Sequence, residues 1–176
     1  MTKASVLLAL AVVLTGCGYA LAGRGNTLPE YIRRIGVPGF QNLSTTPELD
    51  RLFTDAIKIE LQSRGKYTVV ADTAGVDAVL SGSILSVTPV ATAFTSDNLQ
   101  ALKYTVNVVA SAEFKETRDN KVFWSSPSLQ VSDEYELASG VAVNDLASLF
   151  TQDRNVLERL ARTFARTLVT NILEAF

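Results

Sequence analysis

Apolar residues repeat along this chain with two different periods, and the change of period marks its elements. Between Thr46 and Gly65, residues Leu49, Leu52, Phe53, Ala56, Ile57 and Leu61 recur three and four apart, the spacing of one face of an α-helix. Thr46 stands where a cap belongs, Pro47 suits the first helical position, and Glu48 and Asp50 suit the positive end of the helix dipole. Arg64-Gly65 supplies a cationic last turn and a glycine to end the helix. At about 1.5 to 3 kcal/mol for each large side chain fully buried, this stripe holds a helix onto a sheet. The second helical pattern closes the chain. Val156, Leu157, Leu160, Ala161, Phe164, Ala165, Leu168, Val169, Ile172 and Leu173 share one side, and Arg154, Glu158, Arg159, Arg162, Arg166 and Asn171 take the other. Asn155 followed by Glu158 resembles a capping box, so a helix is expected over 153–174, with Leu146 to Phe150 as a short turn or an irregular lead-in.

Elsewhere the period falls towards two. A first strand is expected from Tyr31 to Phe40, with Pro38-Gly39 near its end, and a short one over Tyr67-Thr68-Val69-Val70-Ala71. The helix between them makes this a right-handed βαβ crossover or a close relative. Three long strands follow, Asp77 to Phe94, Lys103 to Thr117 and Lys121 to Glu136, in the manner of an antiparallel meander. The middle one alternates most clearly, with Tyr104, Val106, Val108, Ala110, Ala112 and Phe114 on one side and a mostly polar set on the other. Arg118-Asp119-Asn120-Lys121 is a tight-hairpin signal, and the loop from Thr95 to Leu102 ends in exposed-looking leucines. The order predicts an α/β (α+β) fold: a two-layer sandwich with two helices on one face of a mixed, mostly antiparallel sheet of about four to five strands. Its long hairpins reach past the helices, and its uncovered, half-polar face is a surface for a large partner.

Before all of this lies an apolar run from Ala4 to Leu14, preceded by Lys3 and too short to cross a bilayer as a helix. It ends in Leu14-Thr15-Gly16-Cys17, which reads as a lipobox, with cleavage before Cys17 and acylation of its thiol. The other readings are an ordinary secretory signal and a buried small cysteine. The expected organisation is a lipoprotein signal peptide over 1–16, a lipidated flexible tether over 17–27 and a single domain over 28–176. Gly23-Arg24-Gly25 in the tether lacks the flanking strand and helix that a phosphate loop needs.

Composition narrows the chemistry. The chain has 176 residues, no histidine and one cysteine, so it offers no Ser-His or Cys-His pair, no internal disulfide and none of the usual ligands of a zinc site. Lys+Arg number 16 against 18 for Asp+Glu, which argues against a nucleic-acid partner. No metal and no cofactor is expected beyond the N-acyl and S-diacylglycerol groups on Cys17. No Gly-x-Ser-x-Gly framing and no facing pair of acids suggest an enzyme. Glu60 falls within the apolar stripe of the first helix, where Arg64 one turn on is its expected partner. The row Arg159, Arg162 and Arg166 reads as a solvated helix face.

One resemblance runs through most of the chain after the lipobox. Cys17-Gly18-Tyr19, Gly23-Arg24-Gly25, Leu28-Pro29, Ile35-x-Val37-Pro38-x-Phe40-x-Asn42, Leu61-x-x-Arg64-Gly65-x-Tyr67-x-Val69 and Asp77-Ala78-x-Leu80-x-Gly82-x-Ile84, in that order, resemble the LptE family of lipopolysaccharide-assembly lipoproteins. The resemblance implies a non-enzymatic plug inside an LptD-like outer-membrane β-barrel, aiding its assembly and the delivery of lipopolysaccharide. Gly18, rather than Asp, after the cysteine agrees with an outer-membrane address on the periplasmic side. Lipopolysaccharide carries phosphates, so Arg118, Lys121 and Lys103 at hairpin ends are candidate contacts, chosen by position and not by any family motif. Solubilising charge is the other reading of these three. The alternative function is that of an adaptor lipoprotein in another envelope export or transport complex.

Overall fold

The computed structural model describes residues 28–94, 101–136 and 154–176. Six strands form one sheet: β1 (Arg34–Gly36), β2 (Gln41–Asn42), β3 (Thr68–Val70), β4 (Ala78–Phe94), β5 (Ala101–Glu116) and β6 (Val122–Glu136). Two helices, α1 (Leu49–Ser63) and α2 (Arg154–Glu174), complete it. The strand order is β3-β1-β4-β5-β6, with β2 pairing β4 off that path. β1 runs parallel to β3 and to β4, while β4, β5 and β6 are antiparallel neighbours. This is the expected mixed sheet with both helices against its apolar face, one strand beyond the expected number. No helix among the described residues is long and apolar enough to cross a membrane.

The core forms where the two periods meet. Leu80, Ile84 and Val87 of β4, Val106, Val108, Ala110 and Phe114 of β5, and Leu129 and Val131 of β6 are buried with Phe53, Ile57, Leu61, Leu160, Phe164 and Leu168 of the helices. At the helix crossing the Phe53 and Phe164 rings lie 5.1 Å apart at 54°, a tilted aromatic contact that adds to plain burial. Phe40 has room because Gly82 lies beneath it. A Cβ on Gly82 would sit 2.4 Å from the Phe40 ring and 2.4 Å from the Ser111 carbonyl oxygen.

Several local expectations are corrected. The strand foreseen over Tyr31 to Phe40 is only Arg34–Gly36, with a second short piece at Gln41–Asn42. Pro38 has no N–H to give, and the Phe40 N–H donates to the Thr54 hydroxyl of α1 at 2.9 Å rather than to a strand. Thr46 does not cap α1. Its carbonyl accepts from the Asn42 side-chain amide at 2.7 Å, and Glu48 precedes the helix in a left-handed conformation at φ 63°. Asn155 falls inside α2 instead of before it. The strand expected from Lys103 begins at Ala101. Leu99 and Leu146 to Phe150 lie outside the described residues. At the other end of α1, Gly65 takes φ +72° as a terminating glycine should, and Arg64 pairs with Glu60 at 2.7 Å.

Length sets how far the sheet outruns the helices. At about 3.3 Å per residue, β4 extends some 55 Å. Helices of 15 and 21 residues reach about 22 and 32 Å. The distal part of the meander therefore passes beyond the helical layer. Accordingly, among the described side chains Val87 on β4 and Val106 on β5 are the last buried before that end, and none from Thr88 to Thr92 or from Lys103 to Thr105 is buried.

Candidate functional site

Two surfaces on this frame have the chemistry of a partner or ligand site. The first is the sheet face that, among the described residues, no helix covers. Alternation along three strands turns Ser81, Ser83, Ser86 and Thr88 of β4, Thr105, Asn107, Ser111 and Glu113 of β5, and Ser125, Gln130 and Ser132 of β6 away from the core, side by side in register. Small hydroxyl side chains are the commonest on it, with Val90 and Val109 standing among them. Ser83 faces Ser111, and Ser81, Glu113 and Ser125 form one cross-strand row. Around them lies an open groove of about 610 Å³ that also takes in Gln41 and Pro127. Asn107 and Ser132 are joined by a 2.6 Å hydrogen bond between their side chains. Short neutral polar groups let a polar wall come close at little desolvation cost.

β6 closes the path of the sheet, and its outer edge is guarded. Between Ala110 and Ala112 of β5 the register of β6 shifts across Ser126 to Leu129, so Pro127 falls in a bulge. Farther along, Arg159 of α2 donates to the Asp133 carboxylate at 2.8 Å and to the Glu134 carbonyl at 2.6 Å. Arg159 is thus not part of a purely solvated row. It covers edge-strand backbone that a stray strand would otherwise pair with. Arg162 stands 3.7 Å from Glu158 in an exposed pair.

The second surface is the end of the sheet where the β5–β6 hairpin turns beside the start of the domain. Asn120 takes φ 54° to make that turn. The Arg118 guanidinium lies over the Tyr31 ring at 5.2 Å, and the Lys121 ammonium over the Phe123 ring at 5.6 Å. Phe176 meets Phe123 edge-on at 5.2 Å. Asp77 ties the two parts together. Its Oδ2 accepts from the Arg33 and Arg34 backbone N–H groups at 2.9 and 2.8 Å. Its own carbonyl accepts from the Thr117 N–H at 3.0 Å, and the Thr117 hydroxyl contacts the Val76 and Asp77 carbonyls. Glu116 is buried and accepts from Tyr31. The Tyr31 hydroxyl is held above its ordinary value, first by desolvation and then by that bond.

The two backbone N–H groups hold the Asp77 carboxyl below the usual carboxylate range, against some desolvation and with help from Arg118. A carboxylate whose folded value is depressed stabilises the protein fully above its unfolded value, about 3.9, and that contribution disappears as pH falls through the lower folded value. Asp77→Asn is therefore expected to cost on the order of 1 kcal/mol at neutral pH and to flatten the decline in stability below about pH 4. Urea titrations of both proteins between neutral pH and pH 3 check this. Parallel pH profiles would remove Asp77 from the account.

The structure brings together two of the basic residues singled out from the sequence and separates the third. Arg118 and Lys121 flank the same turn. Lys103 lies near the opposite end of β5, thirteen positions before Glu116, about 40 Å away along the strand. Cys17 lies outside the described residues. The sequence reading missed Tyr31, Asp77, Glu116 and Phe176 as members of this end. A signal was present only for Asp77, a short polar residue directly before a strand.

Against known proteins, the LptE family model, described as lipopolysaccharide-assembly, matches residues 32–172. A comparison with curated proteins finds no match. Among solved structures, a minor lipoprotein from Acinetobacter baumannii is similar at 10% identity, covering 83% of this chain and 94% of that one, with a TM-score of 0.50. The PelC dodecamer from Paraburkholderia phytofirmans is similar at 15% identity, over 83% and 92% of the two chains, with a TM-score of 0.50. A protein from Xanthomonas campestris matches at 16% identity, over 81% and 84%, also at 0.50. At such identities these likenesses speak for the fold alone.

Proposed function

The chain belongs to the LptE family of lipopolysaccharide-assembly proteins, and from that premise we propose a non-enzymatic lipoprotein held by acylated Cys17 on the periplasmic side of the outer membrane. There its domain plugs the lumen of an LptD-like β-barrel, assisting assembly of that barrel and delivery of lipopolysaccharide to the surface. The observation that carries the plug is the hydroxyl-rich face, covered by neither described helix, on a meander that outruns both. Barrel interiors are polar. An insert needs a polar outer face, a core of its own and reach along the barrel axis, and this domain has all three.

Arg118 and Lys121 are the proposed contacts for lipopolysaccharide phosphates, through charge-assisted hydrogen bonds from one hairpin turn. Lys103 is a separate candidate at the distal end. The double variant Arg118→Ala, Lys121→Ala is expected to weaken binding of purified lipopolysaccharide by about tenfold or more. Its folding stability should change by no more than about 1 kcal/mol, the order of an exposed cation–π contact. Unchanged binding would take both residues out of the site and leave them as solubilising charge.

A further inference from the structure

The outer side of the helical layer carries an apolar groove. α1 and α2 run in the same direction, since Phe53 meets Phe164 and, farther along both helices, the Arg64 guanidinium donates to the Thr170 hydroxyl at 3.3 Å. Between them lies an open hollow of about 280 Å³ with Leu52, Ala56, Ile59 and Ala161 as its floor. Ile59 is 66% exposed, more than any other large apolar side chain among the described residues. A polar barrel wall offers it nothing apolar to pack against, and removing such a side chain from water is favourable.

The two rims of the groove differ in charge. α1 supplies Asp55 and Glu60, and α2 supplies Arg162 and Arg166 together with Glu158. Glu60 is held by Arg64 at 2.7 Å, and Glu158 stands 3.7 Å from Arg162. Asp55 and Arg166 are both exposed, and among the described residues no ion pair engages either. A groove with one acidic and one basic rim is complementary to itself under a twofold axis laid along it. That operation sets α1 of each copy against α2 of the other at the same level. Carboxylates then meet guanidiniums twice over, and the two Ile59 side chains come together above the shared floor. A partner of any other kind needs both matching rims of its own.

We propose that this groove is a docking face for a second copy of the chain, which it takes up as a weak, twofold pair. Size sets the strength. The lining from Leu52 to Glu60 spans about 12 Å of helix, so the face falls short of the roughly 800 Å² per partner of a stable complex. Such a pair forms where copies are concentrated, as a shared bilayer concentrates anchored chains. A lumen plugged by one copy excludes the pair, so pairing belongs to copies not yet taken up by a barrel. The proposal goes beyond the plug and borrows only the anchor from the lipoprotein reading.

The test uses the full acylated protein with photoreactive p-benzoylphenylalanine in place of Ile59 or, separately, of exposed Val122 at the β5–β6 turn. Each is reconstituted at the same density in vesicles of phosphatidylethanolamine and phosphatidylglycerol without any barrel protein, and irradiated. The expected result is an adduct of two chains, severalfold more abundant from position 59 than from position 122. Asp55→Lys makes both rims basic and Arg166→Glu makes both mainly acidic, so either change alone should lower the yield at 59 to that at 122. Mixing the two variants should restore it, because each then meets the opposite charge on the other. Equal yields from 59 and 122 overturn the self-docking face. An excess at 59 that neither charge variant lowers overturns the matched rims. An adduct of position 59 with phospholipid instead of protein assigns the groove to the bilayer. No pair in vesicles but an adduct with a barrel protein in outer membranes assigns it to the barrel. Recovery of the barrel by affinity purification does not depend on any of these outcomes, so the plug stands or falls separately.

Discussion

Replacing Phe164 with alanine is expected to cost about 3 to 5 kcal/mol of folding stability. For a chain of this size that is roughly 6 to 20 °C in Tm. Phe164 is fully buried on α2, with its ring against fully buried Phe53 of α1, and Leu49, Ile57, Leu160 and Leu168 fill the space around the pair. The loss combines the transfer free energy of the ring with a cavity that two helices and a stiff sheet cannot close. The contact also joins the two halves of the domain. α1 belongs to the βαβ part at one side of the sheet, and α2 packs along the long strands at the other. Denaturant titrations of Phe164→Ala and of Phe53→Ala should each show a large loss, and the double variant less than their sum, because both remove one shared contact. A loss near 1 kcal/mol for Phe164→Ala would mean that the helices do not share a core.

The second large effect concerns location. Cys17→Ser is expected to move the protein from the membrane fraction to the soluble periplasmic fraction. Each buried methylene of an acyl chain contributes about 0.8 kcal/mol, so that several chains on one residue hold durably where one holds only marginally. No helix among the described residues is long and apolar enough to substitute for them. Fractionation of cells expressing each form checks this, and a serine variant that stays in washed membranes would show that something other than Cys17 anchors the chain.

How much of this was legible in the sequence depended on how local the cause was. The three long strands were found within a few residues, because strict alternation reports which side is buried. The Asn120 turn and the Glu60–Arg64 pair are likewise set by neighbours in the chain. Alternation misleads where the ladder is irregular. A bulge between Ile84 and Ser86 leaves Leu85 exposed and Val87 buried, so the inward set changes from even to odd numbers within one strand. Thr46 looked like a cap because that residue type serves as one, but the hydrogen bonds among Asn42, Ser44 and Thr46 claim it first. At the candidate site, Arg118 and Lys121 were visible from the hairpin signal. The contacts of Arg118 with Tyr31 and of Phe123 with Phe176 join residues distant in sequence, and no local pattern records such a meeting. The separation of Lys103 follows simply from strand length, once β5 is known to be continuous.

This domain is proposed to work inside a large outer-membrane β-barrel. Affinity purification of the full acylated protein from detergent-extracted outer membranes tests it most directly, with the proteins recovered identified and their stoichiometry measured. Recovery of an LptD-like barrel in near-equal amount is the result predicted. Recovery of the components of another envelope export or transport complex, with no barrel, would contradict it and assign the domain to the adaptor role.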